Sequence, residues 1–298
     1  GPAIAAASQS LAPDPIRAFS PMHAPDALPG CAPVSPAPGY HGAPAVAGHA
    51  PILGVTASMS SITLFQAPPP EAIQSQIQQM VVDYITDVSA VAIAPSNPLY
   101  NLYQYGVGYE VHLYLQAMDG SRGIAVELVV ATDPQAPDQV LGFTLYLPVK
   151  DDPQACAVAY MAVRQGHRRQ GIARQMLQAM LARYPHAELA CNVAKVGCFE
   201  ALGFQLLGAR GPQVLMNTRD HGSDGLLAVL DVAPIYQSVE VRQIHTYLLA
   251  QHGRKAMLEA EKKRDRQLDQ MTRQAQALVR ERLGEAALYR SRAPQLIN

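Results

Sequence analysis

The chain has 298 residues, a formal net charge of −1 at pH 7 and four cysteines. That is length for one sizeable core with extensions, and it leaves no overall charge to draw the chain to nucleic acid or a membrane surface. No apolar run reaches the roughly 18 residues a spanning helix needs, and the Ala-rich beginning lacks the basic start and apolar centre of a signal peptide. Cys31, Cys156, Cys191 and Cys198 form no CxxC pair and no zinc-type spacing. Small buried thiols in a reducing compartment are therefore expected, with no metal site and a cytoplasmic location or incorporation into a large assembly.

Residues 1–58 are rich in Pro, Ala and Gly, carry only Asp14, Arg17 and Asp26 as charges, and show no sustained period of 2 or 3.6. They read as an extended arm, either a solvated linker or, given the Ile, Leu, Phe and Met among its prolines, a segment that lies on something. The opening Gly-Pro is equally a processed end or the scar of a cleaved tag. Ser61 to Gln66 reads as a short strand ended by three prolines, and Glu71 to Ile85 as a helix with apolar residues at Ile73, Ile77, Met80, Val81 and Tyr84. From Tyr105 to Leu115 apolar residues alternate with Gly, Glu, His and Gln, which predicts a strand. "MDGSRG" turns the chain, "IAVELVVAT" and "QVLGFTLYLPV" form a hairpin across "DPQAPD", and "ACAVAYMAV" is the next strand of an antiparallel meander.

After that strand, "VRQGHRRQGIARQML" is a basic, glycine-containing turn running into a helix in which Ile172, Met176, Leu177, Met180 and Leu181 recur at helical spacing. A strand–turn–helix junction of this kind aims unpaired N–H groups and the positive end of a helix dipole at one point, where an anion binds well. A strand "AELACNV", a helix "AKVGCFEALG" and two weaker strands around "FQLLGA" and "VLMNT" complete the region. The class is α+β with a mixed, mostly antiparallel sheet flanked by helices.

The turn resembles the acyl-CoA-binding motif of the GNAT superfamily of N-acetyltransferases, with Arg168, Gly171 and Ala173 at the motif's fixed places. "NVAKVGCFEALGF" resembles the family's later segment, with Asn192, Phe199, Gly203 and Phe204 matching. The resemblance implies that N–H groups of Arg169, Gln170, Gly171, Ile172 and Ala173 cradle the pyrophosphate of acetyl-CoA, with charge added by Arg168 and Arg169. It also implies that the strand before the turn splays from the next one, so that Met161, Ala162 and Val163 offer an open backbone edge to the pantetheine arm, which Asn192 helps to hold. Many relatives carry a Tyr at the position of Phe199 as the acid for the leaving thiolate, and Phe cannot donate a proton. Replacement acid or base candidates are Tyr160, His167, Glu188 and Cys198, each of which also has an ordinary structural explanation. Two classes follow: an acyl-CoA-dependent N-acyltransferase acting on an unknown amine, placed first because the turn is complete, and a GNAT-like module serving a large assembly such as a virion.

From Gln237 to Leu283 no proline occurs and Gly253 is the only glycine, which predicts one long helix or two joined near Gly253. Leu268, Met271, Ala275 and Leu278 make a narrow seam suited to another helix, while "RKAMLEAEKKRDR" reads as solvated. The expected division is an arm (1–58), an acyltransferase domain (59–220) and a tail (221–298), with arm and tail making homo-oligomer or assembly contacts and the tail contributing nothing to the CoA site. Residues 253–298 hold eleven Lys or Arg against six Asp or Glu, yet neither nucleic acid nor a membrane is an expected partner, a solvated helix being the commoner use of such charge.

Overall fold

The computed structural model describes residues 60–289 and 294–298. The predicted arm, with Cys31 and the opening Gly1, lies outside the described residues. A seven-stranded sheet runs in the order β1-β2-β3-β4-β5-β7-β6. Its first four strands, β1 (Ser61–Phe65), β2 (Glu127–Asp133), β3 (Ala136–Pro148) and β4 (Ala155–Val163), form an antiparallel meander, the predicted one without its member at Tyr105–Leu115. β4 then pairs in parallel with β5 (His186–Cys191), and β7 (Gln213–Asn217) and β6 (Gln205–Arg210) close the far edge antiparallel.

Each face of the sheet is covered by helices. On one face α1 (Glu71–Asp83), α2 (Ile85–Val88) and α3 (Tyr100–Ala117) pack against Leu128, Val130, Phe143, Leu145 and Tyr160. On the other, α4 (Ile172–Arg183) and α5 (Val196–Glu200) pack against Val129, Tyr146, Val158, Met161 and Val163. Gly142 on β3 lets α4 approach: a Cβ there would stand 2.9 Å from the Ala162 carbonyl oxygen and 3.0 Å from the Met176 methyl.

The strand predicted over Tyr105–Leu115 is a helix, α3. Its buried positions, Leu102, Gly106, Val107, Gly108, Glu110, Val111, Tyr114, Leu115 and Ala117, cluster at helical rather than alternating spacing. The misleading alternation came from Tyr105 and Tyr109, which lie one turn apart on the outer face and stack with ring centroids 5.8 Å apart. Gly106, a weak helix former, is explained by tertiary contact: the Tyr236 ring sits where a Cβ would be, its hydroxyl only 2.5 Å from that position.

The two tail helices occur as expected. Beyond β8 (Ala228–Leu230) and the short α6 (Ala233–Tyr236), α7 (Val239–His252) and α8 (Arg254–Leu283) meet at Gly253, whose φ of +84 suits glycine. A terminal β9 (Gln295–Ile297) pairs in parallel with β8. The charged stretch expected to be solvated is partly buried, with Met257, Ala260, Glu261 and Arg264 all covered. The predicted seam meets this chain's own sheet: Leu268 and Ala275 are buried, and α8 packs on β6, β7 and the turn Val193–Lys195. Arg282 also bonds Glu200 on α5, and the Gln267 side-chain amide donates to the Ala92 carbonyl at 3.2 Å. The tail thus extends the core around the far edge of the sheet, because its apolar stripe finds a partner within the chain.

Candidate functional site

β4 and β5 are registered at only three pairs, Ala155↔His186, Cys156↔Ala187 and Ala157↔Glu188. Beyond them β5 stays with β7 and β4 stays with β3, so the strands part and leave a cleft along residues 158–163. The parting begins beside an irregularity. The β3 partner of Leu145 is Tyr160 and that of Tyr146 is Val158, so Ala159 is an extra residue that bends β4. Met161, Ala162 and Val163 lie on this diverging part, with side chains buried and the backbone edge turned to the cleft.

At the top of the cleft the chain turns through Gln165–His167 and enters α4. Arg169 has φ +66 and Gly171 φ +78, and Arg169, Gln170 and Gly171 are exposed. Left-handed residues in such a turn fold successive N–H groups toward one concave point, a nest for an anion. The Gln175 N–H donates to the Gly171 carbonyl at 3.0 Å, so the N–H groups of Ile172, Ala173 and Arg174 have no acceptor within the helix. A Cβ on Gly171 would meet nothing within 4 Å, so the space before the turn is open. Arg168 turns away from it. Its Nε donates to the Val163 carbonyl at 3.2 Å, its guanidinium lies 5.0 Å from the centre of the Tyr84 ring, and it stands 3.6 Å from the Asp87 carboxylate. The Tyr84 hydroxyl in turn accepts from the Gln165 N–H at 2.9 Å. The loop is held from behind by α2 and its preceding residue, and Arg169 is the cation left at its surface.

Asn192 follows β5 on the opposite bank, and its side-chain oxygen is buried without a hydrogen-bond partner. α5 then carries Cys198 and Phe199 into the core, where Phe199 packs edge-on against Phe204 with centroids 5.9 Å apart. Cys156 and Cys191 are also buried thiols, and burial pushes Cys191 up to about 12.

Of the four acid or base candidates, only Glu188 stands where the strands part, as the last registered partner of Ala157. Its carboxylate is 3.5 Å from the Arg210 guanidinium and about one-fifth exposed, at 19%. It lines a cavity of about 380 Å³ on the sheet, together with Cys156, Ala157, His186, Leu215 and Asn217, bordered by residues 220–227 and Pro294. Tyr160 is instead fully buried under α3, its hydroxyl donating to Glu110 at 2.8 Å. Burial raises the Glu110 carboxyl to about 8, an effect the Tyr160 hydrogen bond partly offsets. His167 closes the turn before the nest with its Nδ1 buried and unpartnered. The structure brings Met161–Val163, Arg169–Ala173, Asn192 and Glu188 to one cleft and leaves Tyr160, Cys198 and Phe199 in the cores. Glu110, Arg210 and Asn217 were not singled out from the sequence, because only the register of distant elements places them.

Among the described residues no group of His, Cys, Asp and Glu is arranged to hold a metal, and no helix is long and apolar enough to cross a membrane. Residues 94–204 match the family model described as Acetyltransferase (GNAT) family. Comparison with curated proteins returns no match. Similar solved structures include the GNAT family N-acetyltransferase YhbS from Escherichia coli in complex with CoA, at 20% identity, 61% of this chain, 87% of that chain and a TM-score of 0.36. The PaiA N-acetyltransferase from Thermoplasma acidophilum in complex with coenzyme A is 8% identical over 53% of this chain and 99% of its own, with a TM-score of 0.42. An HPA2-related acetyltransferase from Corynebacterium glutamicum is 13% identical over 56% of this chain and 99% of its own, with a TM-score of 0.40.

Proposed function

We propose, from the match of residues 94–204 to the GNAT acetyltransferase family model, that this protein transfers an acyl group, acetyl in the first instance, from acyl-CoA to an amine. The observation that carries the proposal is the conjunction of an anion nest at Arg169–Ala173 with a sheet that opens directly below it. The pyrophosphate takes the N–H groups of Arg169 to Ala173, with the surface cation Arg169 adding charge. The pantetheine arm lies along the free edge of β4 beside Met161–Val163, and the unpartnered side-chain oxygen of Asn192 suits one of its amide N–H groups. The thioester then reaches the point where β4 and β5 part, next to Glu188 and the cavity.

There the neutral amine attacks the thioester carbonyl. The N–C bond forms, the C–S bond breaks, the amine proton passes to the Glu188 carboxylate, and solvent returns a proton to the thiolate of CoA. Positioning the two reactants supplies much of the rate, and Glu188 supplies the base. Arg210, 3.5 Å away, holds the carboxylate in place at the mouth of the cavity.

The test is whether the purified chain releases free CoA from acetyl-CoA in the presence of amines. Glu188→Gln is expected to lower kcat about a hundredfold with acetyl-CoA affinity unchanged. Unaltered kcat would remove Glu188 from the mechanism. Tight CoA binding with no turnover on any amine would favour the alternative of a structural module, for which the Phe at position 199 is the supporting observation. Phe199→Tyr probes that position directly. The ring is buried against Phe204, so a hydroxyl that finds no partner there is expected to cost about 1–3 kcal/mol of stability, and one that reaches the thiolate is expected to raise turnover or shift the alkaline limb of the pH–rate profile. A variant with the parent's rate and profile would place the acid elsewhere.

A further inference from the structure

The cavity beside Glu188 holds a second group with a demand of its own. Asn217 is 1% exposed, and its side-chain Nδ2 has no hydrogen-bond partner. The Arg219 N–H donates to the Asn217 Oδ1 at 2.9 Å, which fixes the amide so that the unpartnered atom is a donor. Asn217 and Glu188 are direct cross-strand partners on β7 and β5 and line the same cavity. Side chains so paired stand about 5 Å apart at their Cβ atoms. The cavity therefore presents a carboxylate and an amide donor side by side. Leu207, Leu215 and Leu227 supply apolar wall around them, and Asp220 and Asp224 stand at the lining.

A buried donor left unpaired costs about 1–3 kcal/mol, so a ligand that gives Asn217 an acceptor gains what a bare amine cannot. Resting on the acyltransferase assignment above, we infer that the acceptor is an α-aminoacyl compound, an amino-acid amide or a peptide amino terminus, whose amine faces Glu188 and whose carbonyl oxygen accepts from Asn217. The two functional groups sit on adjacent carbons and match the adjacent side chains. Alkylamines and polyamines offer no acceptor to Asn217. A volume of about 380 Å³ admits one or two residues of such a ligand.

The experiment is steady-state acetylation by the full chain of alaninamide, 2-aminopropane, cadaverine and kanamycin, followed by thiol release and product mass, in the parent and in Asn217→Asp. The substitution keeps the oxygen that the Arg219 N–H uses and removes the donor, and comparing each amine with itself cancels differences in basicity. Alaninamide is expected to show a KM about tenfold higher in the variant with kcat kept, while 2-aminopropane is unchanged or improved. Asn217→Ala should show the same selective loss, and melting curves establish that each variant folds. An equal change for both amines, or preferential use of cadaverine or kanamycin, overturns the inference while leaving the transferase assignment intact. If no amine is acetylated although acetyl-CoA binds, that assignment fails instead. Titration of alaninamide into the CoA-bound chain then decides the cavity on its own: saturable binding weakened by Asn217→Asp supports it, and no binding overturns it.

Discussion

Gly171→Glu is expected to abolish acetyl-CoA binding and to leave a folded protein. The parent should gain about 2.7 kcal/mol at a ligand concentration one hundred times Kd, read as a rise in melting temperature of several degrees. Two effects separate in the variant. The first is backbone strain: Gly171 has φ +78, where any L side chain costs about 1–2 kcal/mol, so the unliganded melting temperature should fall by a few degrees. The second is local to the ligand: the new side chain fills the open space before the nest and sets a carboxylate against the pyrophosphate. Gly171→Ala carries the first effect with little of the second, so it should melt like the Glu variant yet still bind, more weakly than the parent. Calorimetry showing parent-like affinity in Gly171→Glu would remove the turn from the binding site.

The loss of binding could be written from the sequence alone, because the turn is local, whereas the strain at Gly171 needed its observed φ. An apolar run of nine residues, a glycine turn and a 3-4 apolar stripe lie next to one another in the chain, and the structure has β4, the turn and α4 in those places. The helix α3 was not legible for the opposite reason. Its face is defined by partners far away in sequence: Tyr236 against Gly106, and Tyr160 for Glu110. Without them, Glu110 reads as a solvent-facing charge and the tyrosines as strand formers. The cavity was hidden in the same way. Glu188 and Asn217 are separated by the whole of α5 and β6, and only the β5–β7 register sets them side by side. The tail's period was readable, but a narrow apolar stripe does not say whether its partner is another helix or the chain's own sheet.

The buried pair of Glu110 and Tyr160 yields the prediction with the widest reach, a loss of stability as pH rises from about 4.5 to about 8. Burial raises the Glu110 carboxyl from 4.5 to about 8 in the folded chain. Between these values the folded state holds a proton that the unfolded state has released, so stability falls as pH rises. The contribution is fully present below about pH 4.5, is lost progressively up to about pH 8, and changes little beyond it. The span corresponds to something on the order of 5 kcal/mol. The carboxyls of Asp119, Asp152 and Asp220, held below their ordinary value by hydrogen bonds, act in the opposite sense but at lower pH, outside this window. Glu110→Gln keeps an oxygen to accept from the Tyr160 hydroxyl and removes the ionisation, so chemical denaturation from pH 5 to 9 should show a falling curve for the parent and a nearly level one for the variant. A parent whose stability is level between pH 5 and 8, or a variant with the parent's slope, would show that Glu110 is not the group that titrates.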